Sequence, residues 1–262
     1  MNINIEKNPF SSRGAYLAIQ KSPVVYGDGI WLRSLIRPEW GTSRKKISDQ
    51  ILRFIPTDSN GVFISYKTIC TPECLRFESN FGYIEIFFPT IASIDIKTKN
   101  MGLVLEHDSD ESRLVNIEVS EKKAKGYLPI TFFDMTIEMD KGNMSYDEKL
   151  KRFFITCDDR AHFTIYAWHR FLAFPENVEV MTKEKIRKDY EAFKAYYKPQ
   201  CEMEELAVYI LWSGEYHKCG NLTRNVTAIS KSLMSNIWSW DNCFIAMALT
   251  KSNKKLARDN IM

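Results

Sequence analysis

The hydrophobic period of this chain changes once along its length, and that change constrains the fold more than any other feature. From residue 15 to residue 174 the dominant period is two. Segments 62–66, 83–88, 114–119 and 163–168 are short, rich in β-branched and aromatic residues, and alternate apolar with polar side chains, as strands with one buried face do. Turn signals separate such segments, among them Asp28-Gly29, Ser59-Asn60-Gly61, Asn80-Phe81-Gly82, Asn100-Met101-Gly102 and Lys141-Gly142-Asn143. Short strands with no long helical segment between them predict an antiparallel β-sandwich, whose two sheets hide their apolar faces from water.

Beyond Pro175 the spacing becomes helical. Residues 182–198 place Ile186, Tyr190, Phe193 and Tyr197 on one side, with Pro199 just after. Residues 203–213 carry Glu204 and Glu205 in a first turn, where the macrodipole favours acids, and Gly214 stands past the end. In residues 240–249 a shared face is formed by Trp240, Cys243, Phe244, Met247 and Ala248, and residues 253–262 read as a fourth helix capped by Asn253. The expected fold class is therefore mainly β with an α tail: a β-sandwich over residues 1–177 and a helical unit over residues 178–262. Helices of about 10–14 residues need neighbours to bury their stripes. The tail is thus expected to be unfinished, with Ile186, Tyr190, Phe193, Trp212, Phe244 and Met247 prepared for helices that do not arrive.

Composition bounds the function. With 262 residues, 45% of them hydrophobic, the chain can bury a real core. Thirty-six basic against 33 acidic residues leave a formal charge of +3. That charge is dispersed, so neither nucleic acid nor membrane is expected as a partner. Arg44-Lys45-Lys46 and Lys122-Lys123 read as solvated faces. The opening MNINIEKNPF lacks the apolar core of a signal peptide, and no run is long enough to span a bilayer, so a cytoplasmic location is expected. Cys70, Cys74, Cys157, Cys201, Cys219 and Cys243 then read as reduced thiols, and the Asn-x-Ser/Thr sites at Asn143, Asn221 and Asn225 carry no meaning.

Most chemical signatures are absent. The sequence has no Gly-rich phosphate loop, no His-Glu-x-x-His and no Gly-x-Ser-x-Gly elbow. Cys70-Thr-Pro-Glu-Cys74 has no second thiol pair at zinc-site spacing, and Asp108-Ser-Asp110-Glu111 lacks the twelve-residue calcium-loop pattern. His162 and His169 fall on or beside a strand, where packing or surface roles are expected. No metal and no cofactor is expected.

One stretch remains, SNIWSWDNCFIAMAL, residues 235–249. Read as a helix start, Ser239 caps, Asp241 faces the positive end of the macrodipole, and Trp238, Trp240 and Phe244 belong to the core. Read as a site, Asp241 is a carboxyl group walled by indole rings. Lost hydration would raise its pKa and let it act as an acid, while the helix start pulls the other way. Flat rings such as Trp238, Trp240 and Phe244 beside an acid suit a sugar, whose C–H face packs on aromatics. The sequence alone leaves both readings open.

The segment MSNIWSWDNCFIAMAL, preceded by ELAVYILWS and followed by LARDNIM, resembles the start of the catalytic barrel in the glycoside hydrolase family 63 group, including bacterial mannosylglycerate hydrolase-like α-glycosidases. The opening NPFSSRGAYLAI resembles the beginning of the β-sandwich in such proteins. The resemblance implies a β-sandwich joined to a six-hairpin α/α barrel, an α-glycoside as substrate, and inversion at the anomeric carbon. It makes Asp241 the general acid. The base in that group is a Glu far downstream, which this sequence does not contain. A barrel of twelve helices averaging ~11–12 residues needs on the order of 140 residues before loops, so most of the barrel is expected to be missing. The missing half is then a possible partner, and residues 1–262 alone are expected to be inactive. Glu204, Glu205 and Glu215 stay open as acids near Asp241 in sequence. The alternative is a non-catalytic β-sandwich that binds carbohydrate or organises a partner, with a short helical appendage.

Overall fold

The structure, a computed structural model, describes residues 1–22, 29–35, 50–107, 114–129, 131–232, 237 and 239–262. Asp28, the Arg44-Lys45-Lys46 cluster, Asp108-Ser-Asp110-Glu111 and Trp238 lie outside the described residues.

Two antiparallel sheets make up the amino-terminal part. Among the described residues the first runs in the order β1 (Leu17–Ser22), β2 (Gly29–Ser34), β3 (Gln50–Asp58), β8 (Met101–Glu106), β13 (Arg152–Thr156), β12 (Asn143–Asp147). The second runs β4 (Lys67–Thr71), β5 (Cys74–Glu78), β6 (Tyr83–Thr90), β7 (Ser93–Lys99), β14 (Arg160–His169), β11 (Phe133–Lys141), β10 (Lys123–Leu128), β9 (Val115–Val119). Strand β14 shows the alternation that drives this layering. It buries Ala161, Phe163, Ile165 and Ala167 and turns His162, Thr164 and Tyr166 away from the core. Leu32, Phe54, Leu103 and Leu105 of the first sheet share one buried cluster with Leu75, Ile86, Ile96 and Ile165 of the second, the arrangement of a β-sandwich.

One local expectation fails, and the turn signal at residues 100–102, which does separate β7 from β8, works through another residue. Residues 62–66 are not a strand: Phe63 makes one isolated bridge to Thr57, and Val62 and Phe63 are exposed. The Asp58 carboxylate accepts the backbone N–H groups of Asn60 and Val62, both at 2.9 Å, so the turn satisfies donors that a ladder would have used. Gly102 is not a turn glycine. Asn100 takes the left-handed conformation (φ 52°), while Gly102 lies inside β8, where a Cβ would sit 2.6 Å from Thr57 Oγ1 and 2.8 Å from the Ile155 carbonyl.

The helices are α1 (Lys183–Tyr197), α2 (Glu202–Ser213), α3 (Ser239–Leu249) and α4 (Lys254–Asp259), with a two-stranded ribbon β15 (Glu215–Tyr216) and β16 (Val226–Thr227) between α2 and α3. Thr182 caps α1 by accepting from Lys185 N, and Asn253 caps α4 by accepting from Leu256 N. Residue 177 falls in the connection from β14 to α1, which is tied to β6 where Met181 N donates to Pro89 O and Lys183 Nζ to Glu85 Oε2, each at 2.8 Å. Ile186, Tyr190, Phe193 and Trp212 were expected to present bare apolar faces; instead all four are buried and join the sandwich core. The cover comes from α1 and α2 meeting each other and the opening segment. Tyr190 and Trp212 pack edge to face at 5.4 Å, and the fully buried Tyr209 donates its hydroxyl to Pro9 O and accepts from Ser11 N. Among the described residues no helix is long and apolar enough to cross a membrane.

Candidate functional site

Helix α3 holds the residues singled out in the sequence. Its buried face is Asn242, Ile245, Ala246 and Leu249, and the shared face of Trp240, Cys243, Phe244 and Met247 points to solvent. The expectation that Trp240 and Phe244 are core is therefore overturned: they are 70% and 63% exposed, and Met247 is 69% exposed. Their rings meet edge to face at 6.1 Å, so helix α3 presents an ordered aromatic edge. Asp241 sits in the first turn, half-buried, on the boundary between the two faces. Ser239 is the first helical residue rather than the residue before it.

The choice of inward face is made by a polar group. Asn242 is 1% exposed, and its side-chain amide donates to Asn260 Oδ1 at 2.9 Å. Asn260 Oδ1 also accepts from Thr227 N at 2.9 Å, and Asn260 Nδ2 donates to Leu256 O at 2.8 Å. One buried amide pair thus fastens α3 to α4 and to β16, which fixes how Asp241 projects. Sequence reasoning passed over Asn242. Its only signal is a polar residue at the head of the series 242, 245, 246, 249.

The opening segment forms the other half of this architecture. Arg13 bridges two acids from the tail, Glu215 Oε2 at 2.6 Å and Asp189 Oδ1 at 3.1 Å. Burial pulls the guanidinium down, but these two carboxylates outweigh it and hold Arg13 above its ordinary pKa. Asp189 also accepts from Trp212 Nε1 at 2.7 Å, and Glu215 from Asn225 Nδ2 at 2.9 Å. Gly14, in the left-handed region at φ 77°, donates its N–H to Glu215 O. Lys231 is 2% exposed; its Nζ donates to Ser12 O at 3.0 Å and lies 4.9 Å from the Tyr216 ring centroid. Burial drives that amine well below its ordinary pKa, with Glu215 drawing it back only in part. Two stretches at opposite ends of the chain, residues 9–16 and α3, are thus joined through β15–β16.

Three cavities among the described residues bear on these helices. One of about 320 Å³ is lined by Arg13, Trp212, Asp189 and His217 at the junction with the sandwich. A second, about 590 Å³, lies between the ribbon and α4, and shares Arg13, Glu215 and Asn225 with the first. The third, about 360 Å³, is an apolar groove between α2 and α3 that includes Leu211 and Met247. Asp241 lines none of these three. Glu204, on the third, and Glu215, held by Arg13, are both outside its first turn.

His162 stands between Asp95 (Nε2 to Oδ2, 2.7 Å) and Asp140 (Nδ1 to Oδ2, 3.0 Å). The two acids meet opposite nitrogens of the ring and so do not converge on one point. Among the described residues no group of three or more His, Cys, Asp or Glu side chains could hold a metal ion. The six cysteines are unpaired, and burial pushes the Cys70 thiol well above its ordinary range and the Cys74 thiol up to about 11. No protein-family model matches the chain, and no curated protein matches it.

Proposed function

We propose that this chain carries the acid of an inverting α-glycosidase. Asp241 protonates the leaving glycosidic oxygen, while Trp240 and Phe244 on the same helix offer C–H-binding faces to the sugar. Trp238, assigned the same role from the sequence, lies outside the described residues. The base that activates water stands on the opposite face of the sugar. It belongs to further helices of an α/α barrel, which close over the outward side of α3.

What supports this reading is the bare face of α3: Trp240, Phe244 and Met247 lie exposed beside a half-buried first-turn carboxylate. Such an apolar stripe is costly in water and calls for cover. Asn242 gives the acid a fixed mounting, as a proton donor needs.

A second reading, a sandwich that binds carbohydrate without cleaving it, is favoured by one observation. At the end of β14 Phe171 is 70% exposed and its ring lies 5.5 Å from Phe132 and 6.0 Å from His169.

The test is activity on aryl α-glucosides and α-mannosides. Residues 1–262 alone are expected to be inactive. Supplying the completing helices, in cis or as a second chain, should restore hydrolysis with inverted product anomer by NMR. Asp241→Asn should then lower the rate by ~10²–10⁴-fold with the fold retained. Turnover that survives Asp241→Asn removes the assignment. Sugar binding lost in Phe171→Ala but kept in Asp241→Asn would establish the second reading instead.

A further inference from the structure

The cavity between the ribbon β15–β16 and α4 carries a charge imbalance that the fold does not answer. Two groups of basic side chains face it, Lys218 and Arg224 from the connection between the two ribbon strands, and Lys255 and Arg258 from α4. None of the four makes an ion pair among the described residues. Two acids line the same cavity. Glu215 is already held by Arg13 and Asn225, which leaves Asp259 as the one lining side-chain carboxylate outside that network.

The backbone that carries these four exposed side chains is held by hydrogen bonds on both walls. Asn225 Oδ1 accepts from the Lys218 backbone N–H at 2.9 Å, which ties the start of the ribbon connection to its end. Lys255 and Arg258 stand three residues apart on α4, so they share one side of it. The start of α4 is capped by Asn253, and its end is anchored through Asn260 to Asn242 and Thr227. Like charges held this way repel one another, and a concave site of one sign concentrates counter-ions.

We infer that this cavity is a binding site for a phosphate group, free or carried on a small molecule. Arginine forks and lysine points match phosphate oxygens, and about 590 Å³ admits a compact organic phosphate rather than a folded polymer segment. The inference does not rest on Asp241, which lies outside the cavity.

The experiment is calorimetric titration of residues 1–262 at constant ionic strength with inorganic phosphate, glucose 6-phosphate and glucose. Both phosphates are expected to bind with dissociation constants at or below about 1 mM, and glucose not at all. Arg224→Gln with Arg258→Gln should weaken phosphate binding at least tenfold. Lys125→Gln with Lys149→Gln removes the same charge from exposed positions elsewhere and should leave binding unchanged. Should the first pair fail to fold by circular dichroism, Lys218→Gln with Lys255→Gln probes the same walls. Tighter binding of glucose 6-phosphate identifies a phosphate ester as the ligand, and equal binding the free anion. Equal loss in both charge-matched pairs, or no heat with either phosphate, overturns the inference.

Discussion

Trp212 of α2 is 1% exposed and Trp240 of α3 is 70% exposed, although both sit on apolar helices of nearly equal length in the same tail. The difference lies in what each helix meets. Helix α2 has α1 on one side and residues 9–11 on the other, so its indole is enclosed and its N–H reaches Asp189. Helix α3 is apolar along most of its length, and among the described residues the side carrying Asn242 is the one that is buried. Periodicity says which residues travel together around a helix. It does not say which side is covered.

Truncating each tryptophan is the strongest way to break the contrast. Trp212→Ala is expected to cost about 3–5 kcal/mol, as a large cavity and a lost hydrogen bond to Asp189 would, whereas Trp240→Ala should stay within about 0.5 kcal/mol. Urea denaturation followed by circular dichroism reads both. Similar losses would mean that α3 is enclosed after all.

Asn242→Ala tests what orients α3. It removes a donor to Asn260 in a buried network, and a loss of about 1–3 kcal/mol is expected. Asn242→Asp should cost at least as much, because a carboxylate brings charge and no amide donor. A loss below 0.5 kcal/mol (about the range of surface substitutions) would leave the inward face of α3 without its cause.

Lys231 offers a smaller, pH-dependent test of the finished side of the tail. Its folded-state pKa lies well below the ordinary 10.5. Between the two values the unfolded chain binds more protons than the native one, so this group's contribution to stability rises with pH. Lys231→Met is therefore expected to be more stable than the wild type near neutrality. That advantage should shrink as the pH approaches 10.5, by up to about 1.4 kcal/mol per unit. A difference that does not change with pH would show that the buried amine keeps its proton.

The smallest stability effect and the clearest surface effect belong together. Trp240→Ser with Phe244→Ser should leave the unfolding midpoint nearly unchanged while reducing binding of an apolar dye and self-association in light scattering. Unchanged dye binding would place the exposed apolar surface elsewhere.

Much of the sandwich was legible because alternation is a local signal: in β14 every second side chain from Ala161 to Ala167 is buried as its type requires. The cap at Asn253 and the stop at Gly214 are local too. Residues 62–66 misled because alternation alone cannot see that Asp58 has already taken two of the backbone donors nearby. The inward face of α3 was hidden for another reason. Asn242 looks too polar for a core until Asn260, eighteen residues on, supplies its partner. The Arg13 bridge is more remote still, since Glu215 lies 202 residues away.

That clasp bears on how the protein is made. Residues 9–14 leave the ribosome some 200 residues ahead of their partners, Tyr209, Glu215 and Lys231. At ~5–20 residues per second the wait is roughly 10–40 s. Throughout it the segment leading into β1, which lies at an edge of its sheet among the described residues, lacks these contacts. Newborn chains therefore pass through a period in which neighbouring copies on one messenger can pair by that edge, and slowing elongation between residues 14 and 231 would prolong it.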